Sequence, residues 1–140
     1  MALHELQRLA YRSEAELYDD WTIPPLSEPP AATARALAES LVLKATLAGR
    51  LIGAVRGRIE GGICHVGRLV VHPEWQGRGL GTRLMQALEA ATSSVNRYEL
   101  FTGDRSGRNL RLYAQLGYRE FRRAKLSERV TLIYLEKCRR

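Results

Sequence analysis

The spacing of apolar residues changes character near position 41 of the 140-residue chain. Upstream, Leu6 to Tyr11 predicts a first strand, and Ser13 to Trp21 a short helix with Ser13 as N-cap and Glu16 at N3. Pro24, Pro25, Pro29 and Pro30 punctuate the stretch from Ile23 to Pro30, which reads as a loop inside a domain. Alanine-rich Pro30 to Ser40 predicts a helix with Pro30 near its first turn. Downstream the pattern becomes strand-like. Leu41 to Leu47 and Arg50 to Arg58 read as strands joined at Ala48-Gly49, and Gly61-Gly62 leads by a second hairpin into Ile63 to Val71. Pro73 stops that strand by removing a donor. Leu80, Leu84, Leu88 and Ala91 then share one helical face. Tyr98 to Thr102 predicts a strand and Gly107 to Leu116 a helix that Gly117 ends; Tyr118 to Arg122 and Arg129 to Glu136 close as a hairpin.

This order indicates an α/β or α+β chain with a mixed sheet and one parallel crossover. At 15.8 kDa, residues 1–140 form a single domain. Hydrophobic residues at 45% and charged residues at 26% exclude wholesale disorder, collagen and coiled coil. No apolar run approaches the ~18 residues of a membrane span. His4 and Glu5 stand where a signal peptide needs an apolar stretch, so the expectation is a cytoplasmic protein with no membrane partner. Cys64 and Cys138 lack metal-ligand spacing and suit a reducing compartment; no metal is expected.

The formal charge of +7 is unevenly placed. Residues 1–96 hold ten basic and ten acidic side chains, whereas residues 97–140 hold twelve and five and so supply the whole excess. A basic C-terminal third suits a polyanion: nucleic acid, a membrane surface or a small phosphorylated ligand. It equally suits a solvated face of an arginine-rich protein.

Gln76-Gly77-Arg78-Gly79-Leu80-Gly81 lies between a strand and a helix. Its three alternate glycines leave the backbone N–H groups entering the helix open to a ligand, and with the helix dipole they form an anion site suited to a pyrophosphate. A Walker A loop would continue Gly-Lys-Ser/Thr, whereas this one runs Gly81-Thr82-Arg83. A dinucleotide fingerprint would place its third glycine where Thr82 stands; Asp104 is suitably spaced for the ribose acid, but one crossover is too few for that fold.

The loop resembles the Gln/Arg-x-x-Gly-x-Gly/Ala signature of the GNAT superfamily of N-acetyltransferases. The resemblance includes Gly67-Arg68-Leu69-Val70-Val71-His72-Pro73 before it and Leu84-Met85 after it. It resumes at Ser106 to Tyr113 and at Leu116-Gly117-Tyr118, covering the chain from Arg50 onward. It implies an acyl-CoA N-acyltransferase fold: a mixed, mostly antiparallel sheet of six or seven strands flanked by about four helices. Two central parallel strands, Ile63 to Val71 and Tyr98 to Thr102, are then expected to splay around the arm of acetyl-CoA.

The resemblance also implies roles. Leu69, Val70 and Val71 pair through their backbone with the pantetheine arm; Gln76, Gly77, Arg78, Gly79, Leu80, Gly81 and Thr82 hold the pyrophosphate. Asn109 contacts the cofactor, and Tyr113 protonates the departing thiolate. The implied reaction is direct transfer of an acetyl group from acetyl-CoA to a primary amine, and dimers are common among such proteins. Residue chemistry permits this: Asn109 and Tyr113 sit at i,i+4 on one helix face, and a phenol suits a thiolate leaving group. Each has a structural alternative. Tyr113 also reads as a packed aromatic, Asn109 as the third residue of a helix capped by Ser106, and the glycines as a tight turn.

Arg105 and Arg108, just ahead of Asn109, are expected to serve the CoA phosphates, which accounts for part of the basic excess without nucleic acid. Aromatic residues are only 7%, giving base stacking little to work with. The general base has no obvious carrier. His65 and Glu99 are the foremost candidates, with Asp19, Asp20 and Glu60 behind them. Arg68 is unusual in a central strand and calls for a partner, for which Glu99 is also available, or else for an anion in the acceptor pocket. Two other functions fit the same residues: a non-catalytic acyl-CoA sensor, and an acetyltransferase acting on an RNA-linked amine such as aminoacyl-tRNA.

Overall fold

A computed structural model describes residues 2–138. One six-stranded sheet runs in the order β1-β2-β3-β4-β6-β5. Its strands are β1 (Leu41–Leu47), β2 (Arg50–Glu60), β3 (Ile63–Val71), β4 (Arg97–Gly103), β5 (Arg119–Lys125) and β6 (Thr131–Cys138). The helices are α1 (Ala2–Ala10), α2 (Arg12–Tyr18), α3 (Pro24–Ser27), α4 (Pro30–Ala38), α5 (Leu80–Ala91) and α6 (Gly107–Gln115). Every pairing is antiparallel except β3 with β4. No helix among the described residues is long and apolar enough to cross a membrane.

The N-terminal segment departs from the sequence expectation. Residues 6–11 are not a strand but the end of α1 and the residue after it. Leu3, Leu6, Gln7 and Ala10 recur at helical spacing, and Leu3 and Leu6 bury against Ala54 and Val70 on one face of the sheet. The next helix begins one residue early. Ser13 is not its N-cap; the Ser13 hydroxyl instead donates to the Ala10 carbonyl at 3.4 Å. It stops at Tyr18 because Asp19 turns left-handed with φ +50°. The proline-rich loop contains the single-turn helix α3, so two short helices join the four expected.

The opposite face carries the main core. Leu84, Met85 and Leu88 of α5 and Tyr113 of α6 pack with Val55, Val66, Tyr98, Leu100 and Ile133. Burying such side chains contributes about 1.5–3 kcal/mol each.

Two irregularities in β3 create the site. The strand pairs with β4 only at Ile63↔Arg97, Cys64↔Tyr98 and His65↔Glu99, beyond which the two diverge and leave two backbone edges facing a gap. On its other side β3 carries a bulge: Ala54↔Val70 is followed by Arg56↔Gly67, so Arg68 and Leu69 together oppose Val55. Arg68 takes φ +50° there.

The partner of Arg68 is Glu28, at 3.3 Å, and not Glu99, which pairs with Arg97 at 3.1 Å. Glu28 also accepts from Gln7 (3.0 Å) and Thr33 (2.5 Å), and Thr33 contacts His4. Burial pushes the Glu28 carboxyl upward, but these two donors and the charges of Arg68 and Arg56 outweigh it and hold it below the usual carboxylate range. A depressed folded-state value contributes stability at neutral pH that is lost as pH falls below about 4.3. Glu28→Ala therefore lowers stability by about 3 kcal/mol, because it leaves Arg68 unpaired with only 20% of its side chain exposed. Urea titrations at pH 7 and pH 4 check this, and the deficit shrinks at the lower pH.

Candidate active site

Where β3 leaves β4, a cleft of about 560 Å³ opens between the end of β3, the N-termini of α5 and α6, and α2. Its floor is Leu69, Val70 and Val71. One wall is the loop from Gln76 to Gly79, ending at the first turn of α5.

The local backbone explains the loop. Gly77 and Gly79 have φ +76° and +80°, a region that disfavours any residue with a Cβ. Gly79 is the N-cap of the twelve-residue α5, and no side chain caps the helix. Its first N–H groups are therefore unmatched donors at the positive end of a helix dipole. At Gly77 and Gly79 a Cβ would meet nothing within 4 Å, so the cleft is open directly over these donors. Gln76 ties the loop down, its amide donating to the Val71 carbonyl at 3.1 Å while its oxygen accepts from Arg108.

The other wall is cationic. Arg105, Arg108 and Arg111 line the cleft and form no ion pair among the described residues. Several other basic residues of the C-terminal third are matched, Arg97 with Glu99 and Glu136, Arg129 with Asp19 and Lys137 with Glu89, whereas Arg122 lies over the Tyr134 ring. Arg105 is positioned through its backbone N–H, which donates to the Tyr18 hydroxyl. Gly103 makes room for that hydroxyl, since a Cβ there would collide with it. These donors, cations and open backbone fit a phosphorylated cofactor of the coenzyme A type.

A second cavity of about 180 Å³ lies deeper in the gap between β3 and β4. Its walls are mostly apolar, from Ile23, Pro24 and Pro25 to Val66, Leu100 and Leu132. The two cavities share Tyr11, Glu14, Leu69 and Asn109. Tyr113 lines the second cavity and is 6% exposed. Burial pushes its phenol well up, aided by Tyr11 and Glu14. Burial likewise raises Tyr11.

The structure gathers twelve of the thirteen residues assigned to the cofactor along the first cleft: Leu69, Val70, Val71, Gln76, Gly77, Gly79, Leu80, Gly81, Thr82, Arg105, Arg108 and Asn109. Arg78 stands outside it and stacks on Trp75, 4.7 Å from the ring centroid. His65 and Glu99 are in register where β3 and β4 are still paired, and neither lines either cavity. Asp19, Asp20 and Glu60 face Arg129, Thr22 and Arg58 respectively. Ser106 stands at the N-cap of α6, which makes Asn109 its third residue, but its side chain makes no capping bond; the hydroxyl donates to Glu14 instead. Asn109 reaches Thr102 only at 3.5 Å.

Sequence reasoning missed Tyr11 and Glu14. The available signal was a helical face: Tyr11, Glu14, Ala15 and Tyr18 recur at three- and four-residue steps, setting one carboxylate on an otherwise apolar and aromatic stripe. Glu14 is the one carboxylate lining either cavity among the described residues.

Known proteins share this framework. The fold of the ribosomal-protein-S18-alanine N-acetyltransferase from Escherichia coli superposes with a TM-score of 0.74 at 16% identity, covering 96% of this chain and 84% of that one. PaiA N-acetyltransferase from Thermoplasma acidophilum, solved in complex with coenzyme A, gives 0.75 at 17% identity, covering 99% and 91%. An aminoglycoside 6'-N-acetyltransferase complexed with coenzyme A gives 0.71 at 16% identity, covering 97% and 89%. No curated protein matches the chain in sequence. Residues 38–120, more than half of the chain and including the glycine loop and Asn109, match the acetyltransferase (GNAT) domain, and the chain belongs to that family of enzymes.

Proposed function

We propose that this protein transfers an acetyl group from acetyl-CoA to a primary amine, in the cytoplasm. The observation that carries the reading is the meeting of two unlike cavities inside the β3–β4 gap. One is cationic and lined by open backbone N–H groups, the other apolar, and Tyr11, Glu14, Leu69 and Asn109 line both. Acetyl-CoA, when bound, supplies the activated acetyl group and a thiol leaving group.

The chain's own residues supply binding, orientation and proton traffic. The first N–H groups of α5 and the arginines of α6 hold the phosphates, while the unpaired edge of β3 at Leu69 and Val70 lies along the cofactor's arm. Glu14 faces the acceptor's ammonium and takes its proton, directly or through one water. Tyr113 keeps its own proton at neutral pH and donates it toward the departing sulfur.

Release of free thiol from acetyl-CoA, followed with a panel of primary amines, tests the reading. Amine-dependent release with mass gain of one acetyl group on the amine is expected. Stabilisation by CoA with no thiol release from any amine would establish a sensor in place of an enzyme.

The cationic wall carries its own expectation. Arg105→Ala with Arg108→Ala weakens CoA binding more than binding of dephospho-CoA, and added salt narrows the difference. Calorimetric titration of both ligands checks this. Equal losses would place the ribose 3′-phosphate elsewhere.

A further inference from the structure

We infer that the acceptor is a monoamine with a single compact apolar body of about one aromatic ring, and not a polyamine, an aminoglycoside or a peptide. The inference rests on the acetyltransfer reading and deepens it.

Size comes first. The inner cavity measures about 180 Å³, against ~300–1,000 Å³ for pockets that enclose drug-sized ligands. An apolar protein cavity of about 150 Å³ takes up one benzene molecule. One ring therefore occupies the inner part of the cavity, with a short linker placing the amine at the junction with Glu14, and a larger body would have to extend past the exposed Phe101 and Leu126 at the open end.

Charge narrows the class. Among the residues lining the inner cavity, Glu14 and Arg68 alone are charged; Arg68 pairs with Glu28 through Nη2, while its buried Nη1 has no hydrogen-bond partner among the described residues and adds no counter-charge for a cation. One carboxylate is left to receive one ammonium. A second ammonium would lie against Ile23, Val66, Leu100 or Leu132 with no counter-ion, which a buried charge does not tolerate. Polyamines and aminoglycosides fail on this count.

Hydrogen bonding narrows it again. Pro24 and Pro25 form part of the wall and have no N–H to offer a peptide carbonyl. The outer end of the cavity is apolar as well: Phe101 and Leu126 line it while remaining 54% and 47% exposed. Against Pro24, Pro25 and Leu126, away from the open edges of β3 and β4, a peptide's polar backbone would be desolvated without partners, whereas an aryl or branched alkyl group loses nothing.

The experiment compares kcat/KM by thiol release for 2-phenylethylamine, methylamine, spermidine, an aminoglycoside and an alanine-initiated peptide. The expected order puts 2-phenylethylamine first, with methylamine lower by at least ~100-fold, since one methylene in an apolar pocket already discriminates ~10–200-fold. Calorimetry supplies a readout besides turnover: 2-phenylethylamine binds the CoA-saturated protein, and binding disappears in Leu132→Trp, which fills the cavity from a part-buried position outside the CoA cleft. Retained stabilisation by CoA shows that this variant is folded, and the substrate order on the unaltered protein stands without it. Spermidine, the aminoglycoside or the peptide matching or exceeding 2-phenylethylamine overturns the inference and leaves the acetyltransfer reading intact. Thiol release from none of them, with no stabilisation by CoA, overturns both.

Discussion

Replacing Tyr113 by Phe lowers the rate of acetyl transfer by about 10²–10⁴-fold, the usual contribution of a positioned proton donor, while the affinity for acetyl-CoA stays nearly unchanged. The phenol ring is buried in the main core beside Tyr118, with ring centroids 6.0 Å apart, and Phe preserves that packing. Its hydroxyl makes no hydrogen bond among the described residues, so its removal strands no partner and stability moves little. The lost function is the proton. Desolvation, with Tyr11 and Glu14 adding to it, raises the phenol's pKa above its ordinary value, so the folded protein keeps Tyr113 protonated through neutral and alkaline pH. The alkaline limb of the pH–rate profile therefore does not come from Tyr113. Acyl donors whose leaving thiol is more acidic than CoA need less protonation, and for them the Phe variant recovers rate. Single-turnover kinetics make the measurement independent of product release. An unchanged single-turnover rate would remove Tyr113 from the chemistry and leave it as core.

The glycine-loop half of this site, which we propose holds the cofactor, was legible because it is local. Gln76 to Thr82 are consecutive, and the two hairpins and α5 follow from glycines and apolar spacing inside windows of about a dozen residues. The acceptor half is assembled from α2, the proline-rich loop, β3, β4 and β6, whose order in space no short window encodes. Arg68 illustrates the difference. Its need for a counter-charge was readable from one residue, but the partner lies forty positions away on Glu28 and arrives only once α1 and α4 have packed around it. The misplaced first strand has the same origin. Residues 6–11 alone fit period two as well as period 3.6, and Leu3 with the sheet face it covers decides for the helix. Glu14 was passed over because surface helices are expected to carry carboxylates, and burial of that helical face is a tertiary fact.

Gly79→Val abolishes the stabilisation that CoA confers, and a second glycine supplies the control. At ~100 times its Kd, a ligand that binds only the folded state adds about 2.7 kcal/mol, enough to move the melting temperature by several degrees. Gly79 has φ +80° and nothing within 4 Å of an added Cβ, so the Cβ of Val is accommodated; the main cost to folding is backbone strain of about 1–2 kcal/mol. Either the branched side chain stands over the N–H groups that open α5, or the backbone relaxes and turns them away. Both outcomes remove the phosphate site. Gly49, in the turn between β1 and β2, has φ +79° and equally open surroundings, but it does not line the cleft. Gly49→Val therefore carries the same strain and keeps the full CoA shift, which separates loss of the site from loss of stability. Differential scanning fluorimetry of both variants with and without saturating CoA makes the comparison. A full shift in folded Gly79→Val would move the pyrophosphate off the glycine loop and leave it to the cationic wall of Arg105, Arg108 and Arg111.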